Sequence, residues 1–190
     1  MLKSLRQPRV LSLLIVLVGW QVLAWVLHSR SLPPPTAVLV TFGEQLASGE
    51  LPKHLGATLA RMLASFSLAM LIGVSLGVLM GSRAHWNAWL DSLLILSLNI
   101  PALVTIILCY IWLGLGETAA VLAVALNKIP MVVVTLREGA RAIDSELMQV
   151  AKVYQLSPWQ ILHKVYLPQL YPYLFAAARN GLALIWKIVL

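Results

Sequence analysis

Residues 62–82 read Met62-Leu-Ala-Ser-Phe-Ser-Leu-Ala-Met-Leu-Ile-Gly-Val-Ser-Leu-Gly-Val-Leu-Met-Gly-Ser82, 21 residues without a charge. About 20 apolar residues, wound as a helix, cross the ~30 Å hydrocarbon core of a bilayer. Within lipid a helix is the one single-segment form that satisfies its own backbone. Three further runs behave alike: 10–27, 92–114 and 118–136, the last interrupted only by Lys128. A fifth starts near Leu170 and is still running at Leu190, giving a span over 170–190. The whole chain is 60% hydrophobic and 11% charged, where a soluble domain averages about 25% charged. The predicted fold is therefore all-α: one polytopic transmembrane helix bundle over residues 1–190. Within 62–82, Ser65, Ala69, Gly73, Gly77 and Gly81 recur every fourth position and form a stripe of small residues that admits another helix closely. The plain reading is bundle packing. The functional one is a face that moves against its neighbour during transport or receives a second subunit.

The net charge of +7 would suggest nucleic acid in a soluble protein. Here the basic residues flank spans and report topology, so no nucleic-acid partner is expected. Lys3, Arg6, Arg9, Arg83, Arg137, Arg141, Lys152 and Lys164 fall on one side, against Arg30, Lys53 and Arg61 on the other. That excess places the N-terminus and the segment after the fourth span in the cytoplasm. Residues 1–30 resemble a signal peptide, but the apolar run is too long and no Ala-x-Ala site follows, so an uncleaved first span is expected. Cys109, the single cysteine, reads as packing.

The first span is stopped at Leu32-Pro-Pro-Pro35, and residues 36–61 read as short helices on the outer surface. Asn99-Ile-Pro101 and Asn127-Lys-Ile-Pro130 are polar–proline interruptions in adjacent spans, which point to a cavity. Lys128 lies near the middle of its span, where a charge costs about 2.5–3.5 kcal/mol on insertion scales. We read Asn99, Asn127 and Lys128 as lining a solute path that favours anions. Lys187, closer to the outer interface, reads as snorkelling.

Between the fourth and fifth spans lies Gln149-Val-Ala-Lys-Val-Tyr-Gln-Leu-Ser-Pro-Trp-Gln-Ile-Leu-His-Lys-Val-Tyr-Leu-Pro168. Asp144 or Ser145 can cap a first short helix with Leu147, Val150, Ala151 and Tyr154 on one face. Ser157-Pro-Trp-Gln160 is a capping box that starts a second helix, with Pro168 as its stop. The expected knob, residues 144–166, suits a soluble partner that grips it from the cytoplasm; alternatively it lies on anionic lipid. The chain carries no phosphate-cradling G-x-x-x-x-G-K-[ST] loop, no dinucleotide fingerprint and no Gly-x-Ser-x-Gly elbow. His28, His54, His85 and His163 have no metal-ligand spacing. No catalytic site, metal or cofactor is expected.

The hairpin resembles the EAA loop of ATP-binding cassette (ABC) importer permeases, a Glu-Ala-Ala, Gly, Ile-x-Leu-Pro pattern. Gln149, Val150 and Ala151 stand at its first three places, Gln155 follows three residues on, and Val165-Tyr-Leu-Pro168 closes it after nine more. Ala151, Leu167 and Pro168 match. Gln149, Val150 and Gln155 depart, and Gln155 replaces the Gly that makes the turn. It must avoid the left-handed conformation or bear about 1 kcal/mol. Leu32-Pro-Pro-Pro-Thr36, His54-Leu-Gly-Ala-Thr-Leu-Ala-Arg61, Asn99-Ile-Pro101, Trp112-Leu-Gly-Leu-Gly116, Arg137-Glu-Gly-Ala-Arg141 and Ile143-Asp144 are similar to stretches of the nitrate/sulfonate/taurine/bicarbonate branch, and they fall in its order.

The resemblance implies a type I importer in the bacterial inner membrane: two permease subunits (a homodimer being the simplest case), two ATPase subunits that bind the ATP, and a periplasmic solute-binding protein. It implies that Gln149, Ala151, Gln155, Leu167 and Pro168 serve ATPase coupling and that Arg179, shared with the family pattern, sits near the cavity. Such permeases carry a sixth span; this chain stops within the fifth and reads as a fragment or a shortened subunit. The rival readings are a secondary transporter or channel subunit, and a membrane assembly partner that transports nothing. The spans hold no carboxylate, which argues against a proton-coupled relay.

Overall fold

The computed structural model describes the backbone of residues 7–29 and 31–189, with side-chain surroundings for 10–29 and 31–182. The charges of Lys3, Arg6 and Arg30 and the side chains of Arg9 and Lys187 lie outside the described residues. The described chain is helical, with no strand among its described residues. It divides into two compact units, 1–57 and 58–190.

The first unit holds α1 (Gln7–Leu27), α2 (Pro35–Ala47) and the opening of α3 (Glu50–Ser82). Pro35 sits in the first turn of α2, where its missing N–H is no loss. The Gln21 amide meets Thr36 twice at 3.4 Å, joining α1 to α2. Residues 50–61, expected as a separate surface helix, instead continue into the second apolar run as one helix of 33 residues. Pro52 lies in the first turn of α3, among N–H groups that have no intrahelical partner anyway, so it does not interrupt the helix.

The second unit is built around α6 (Glu117–Arg141). Half of its apolar window is buried, against 22% for α3 and 6% for α1, so the bundle is organised on α6. The α3 stripe lies directly on it. A Cβ added at Gly73 would stand 2.6 Å from the Val132 Cβ. At Gly77 it would meet the Val133 carbonyl at 2.7 Å, and at Gly81 the Arg137 carbonyl at 2.5 Å. Ser65, fully buried, donates to the Val121 carbonyl at 3.2 Å. These pairings advance together, so α3 and α6 run parallel. In lipid there is no hydrophobic drive between helices, and close backbone approach supplies the attraction. The stripe is thus occupied within the chain and does not offer its face to a second subunit.

The C-terminal helix α9 (Leu167–Val189) runs back along the same seam. A Cβ at Gly139 would strike the Tyr173 ring at 2.6 Å, and Val132, Leu136, Leu170 and Ala177 form the shared core. The two polar–proline sites behave differently. The expected third span is two helices, α4 (Ala84–Asn99) and α5 (Ala102–Leu113), bent by 96° at Ile100–Pro101. Pro130, by contrast, is contained inside an unbroken α6. Three described helices are long and apolar enough to cross a membrane, or four if the bent pair is one span.

Candidate functional site

The α4–α5 break opens a groove against α6 of about 410 Å³, lined by Ser97, Ile100, Asn127, Pro130, Met131 and Thr135 among others. Ile100 is extended because a residue before proline is pushed from the helical region, and Pro101, at ψ 138°, stands as the N-cap of α5. Asn99 uses its Nδ2 to donate to the Ile95 carbonyl at 2.7 Å, closing α4, and it does not line the groove. Ser97 and Thr135 likewise donate to Leu93 and Met131 carbonyls, at 2.7 and 2.9 Å. Their protons are spent on their own helices. The half-buried Asn127 amide makes no hydrogen bond with the described residues, so its two N–H donors remain available in the groove.

Lys128, next in sequence, turns about 100° around the helix and faces elsewhere. It is 8% exposed, in a narrow cleft between α6 and α9 beside Ala177, Asn180 and Gly181. Met131 and Thr135 line both spaces, so the ammonium lies one row behind the groove. Arg179 is exposed on α9 and lines neither. Of the four residues read as a solute path, the structure places Asn127 in the groove and Lys128 at its flank, and it does not bring Asn99 or Arg179 to them.

Sequence reasoning missed a second cavity, of about 430 Å³, between α3, α5 and α6. At its lip Arg61 grips Glu117 through two hydrogen bonds, Nε to Oε2 and a terminal nitrogen to Oε1 at 2.7 Å, with Tyr110 and Ser65 in the wall. The available signal was positional: Arg61 and Glu117 are the charges that immediately precede the apolar runs 62–82 and 118–136. Arg137 was read as a loop charge. It is instead part of α6, with its guanidinium on Asp91 of α4 at 2.5 Å and on Asn87 at 3.4 Å.

At the end of the bundle where α3 and α6 finish, α7 (Ser145–Val153) and α8 (Pro158–Ile161) form the hairpin. Asp144 caps α7 by accepting from the Glu146 and Leu147 amides, and Ser157 and Gln160 close the capping box in both directions. Between them the Leu156 amide donates to the Ala151 carbonyl and the Gln155 amide to the Lys152 carbonyl, at 3.0 and 2.9 Å. This is a Schellman turn, with Gln155 at the position that favours Gly. Gln155 stands at φ 50°, so it keeps the turn and bears the left-handed strain.

Ala151 is 2% exposed and holds α7 to the rest of the protein. The other members of the apolar face read from the sequence, Leu147, Val150 and Tyr154, are exposed, together with Val153 and Trp159. Gln149 is exposed too. Pro168 does not stop the second helix. A π turn over Leu162–Tyr166 follows α8 directly, and the chain continues into α9 through Leu167 and Pro168. A proline inside a helix clashes with the carbonyl four residues back, and widening the preceding turn relieves that contact.

These features define an all-α, multi-pass membrane protein with a groove at a broken helix and a capped hairpin that presents apolar side chains. Residues 58–190, the whole second unit, match the family of binding-protein-dependent transport system inner membrane components, and the chain belongs to that family. The aliphatic sulfonates transport permease protein SsuC of Escherichia coli is 34% identical over 173 residues, covering 89% of this chain and 62% of that protein. Its Bacillus subtilis counterpart is 30% identical over 174 residues, 90% and 63% of the two. The nitrate import permease protein NrtB of a Synechocystis species is 28% identical over 184 residues, 92% and 66%. The chain spans a little over three fifths of the length of the two SsuC proteins.

Proposed function

We propose that the chain is the membrane permease subunit of an ATP-binding cassette importer for a small anion of the sulfonate or nitrate kind. The observation that carries this is the hairpin. Its two helices are capped at every free end, yet five large apolar side chains stand exposed on so small an element. Such a patch on a short capped hairpin suits a groove in a soluble protein, here the ATPase subunit. The N-terminus and the hairpin lie in the cytoplasm. ATP is bound by the partner, and the solute arrives from a periplasmic binding protein. A second permease subunit, most simply a copy of this chain, closes the open side of the α4–α5 groove.

In the groove Asn127 offers neutral N–H donors, and Lys128 adds positive potential from behind Met131 and Thr135. That combination favours an anion without holding it as tightly as a direct ion pair would. Co-purification with an ATPase and ATP-dependent uptake of sulfonates or nitrate in proteoliposomes test the reading. Failure of the chain to recruit any ATPase would refute it. Lys128→Met keeps the side chain's length and removes its charge. It is expected to lower anion uptake severalfold, and unchanged uptake removes Lys128 from the path.

A further inference from the structure

We propose that Gln169 is the positioning residue that ties the hairpin to the spans, with the π turn at Leu162–Tyr166 as the joint it controls; this rests on the permease reading. Three elements meet here. The Gln169 side chain donates from Nε2 to the Val165 carbonyl at 2.9 Å, inside the π turn. Its Oε1 accepts from the Asp144 amide at 2.8 Å, at the start of α7. Only one orientation of the amide serves both contacts, since a carbonyl needs a donor and an N–H needs an acceptor. Asp144 in turn caps α7, so the backbone of one residue is held by α9 while its carboxylate holds the hairpin. On the other side of the turn the Tyr166 hydroxyl shares a hydrogen bond with Ser82 Oγ at 3.0 Å, which pins the end of α3.

Motion of α7 under a partner therefore has a short hydrogen-bonded route to α9 and α3. The π turn is where that route can give. Its Leu167 amide reaches back five residues to the Leu162 carbonyl, a looser closure than the α-helical one, and Pro168 leaves the next position without a donor. Gln169 supplies from its side chain a donor to that same turn. Without it, the hairpin stays folded by its own caps, but its displacement is absorbed in the turn.

The test uses the full-length protein reconstituted with its ATPase, and Gln169→Met, which keeps bulk and removes both bonds. Loss of two such hydrogen bonds corresponds to roughly thirtyfold. Solute imported per ATP hydrolysed is expected to fall by that order, with ATPase binding retained and Asp144 amide exchange accelerated. Gln169→Glu keeps the acceptor for Asp144 and is expected to restore part of the ratio; it is read in place of Gln169→Met if that variant does not insert. Tyr166→Phe, which removes only a hydroxyl, is expected to give a smaller fall. A wild-type ratio in Gln169→Met, or a fall without faster Asp144 exchange, overturns the proposal. If wild-type protein shows no ATP-dependent uptake, the permease reading fails instead, and Asp144 exchange still decides whether the link exists.

Discussion

Along the α3–α6 seam, Gly73, Gly77 and Gly81 stand so close to α6 that a single added carbon would overlap its backbone or Cβ atoms. In the hairpin only Ala151 is buried, and shape is held by two caps, a Schellman turn and one residue in a left-handed conformation. The seam is specified by volume, and the hairpin by local backbone chemistry. A membrane interior rewards close packing between helices, whereas a partner-facing element must keep its apolar side chains outward and so folds by hydrogen bonds to itself. The two regions should then fail under different substitutions.

The largest effect is expected for Gly77→Leu. Its side chain must displace the Val133 carbonyl or Leu136, overpacking that costs about 3 kcal/mol or more. Yield of monodisperse protein and thermal unfolding in detergent read it. Gly43→Leu is the control, because nothing lies within 4 Å of that position. Equal damage at both sites would break the volume argument.

Ala151→Glu comes next. It buries a carboxylate on the inner face of α7 at roughly 2 kcal/mol or more. Spans should still insert, while uptake per ATP hydrolysed collapses; retained coupling would remove Ala151 from the interface between hairpin and bundle.

Ser157→Ala opens the capping box and is expected to weaken α8 by about 1 kcal/mol, seen as faster amide exchange across 157–161. The smallest change runs in the opposite direction. Gln155→Gly removes the left-handed strain and should stabilise the turn by up to about 1 kcal/mol, measured as slower proteolysis of the hairpin. A loss of stability there would mean that the Gln155 side chain contributes more than its backbone loses.

Much of this was readable in advance, and the failures have physical causes. The stripe, the capping box at Ser157 and the Asn99–Pro101 break are written in residues that act within one turn of themselves. Pro168 misled because its effect depends on whether the turn before it can widen, which involves five residues together. Leu147, Val150, Ala151 and Tyr154 were placed on one face by periodicity, yet of these Ala151 alone is buried. Periodicity finds an apolar face but does not say whether the protein or a partner covers it. The α3–α6 contact was foreseeable as close packing, but its partner helix was not. Arg61–Glu117 and Arg137–Asp91 join residues 56 and 46 positions apart, a pairing that only the fold supplies.

The central claim is that the exposed face of the hairpin is what a soluble ATPase grips. Single cysteines at Val150 and Trp159, in a background lacking Cys109, can be cross-linked to the ATPase in membranes, with Trp112, exposed on α5, as the comparison. Strong cross-links are expected from Val150 and Trp159 and none from Trp112. Cross-linking absent at both hairpin positions, in membranes where ATP-dependent uptake proceeds, would contradict it.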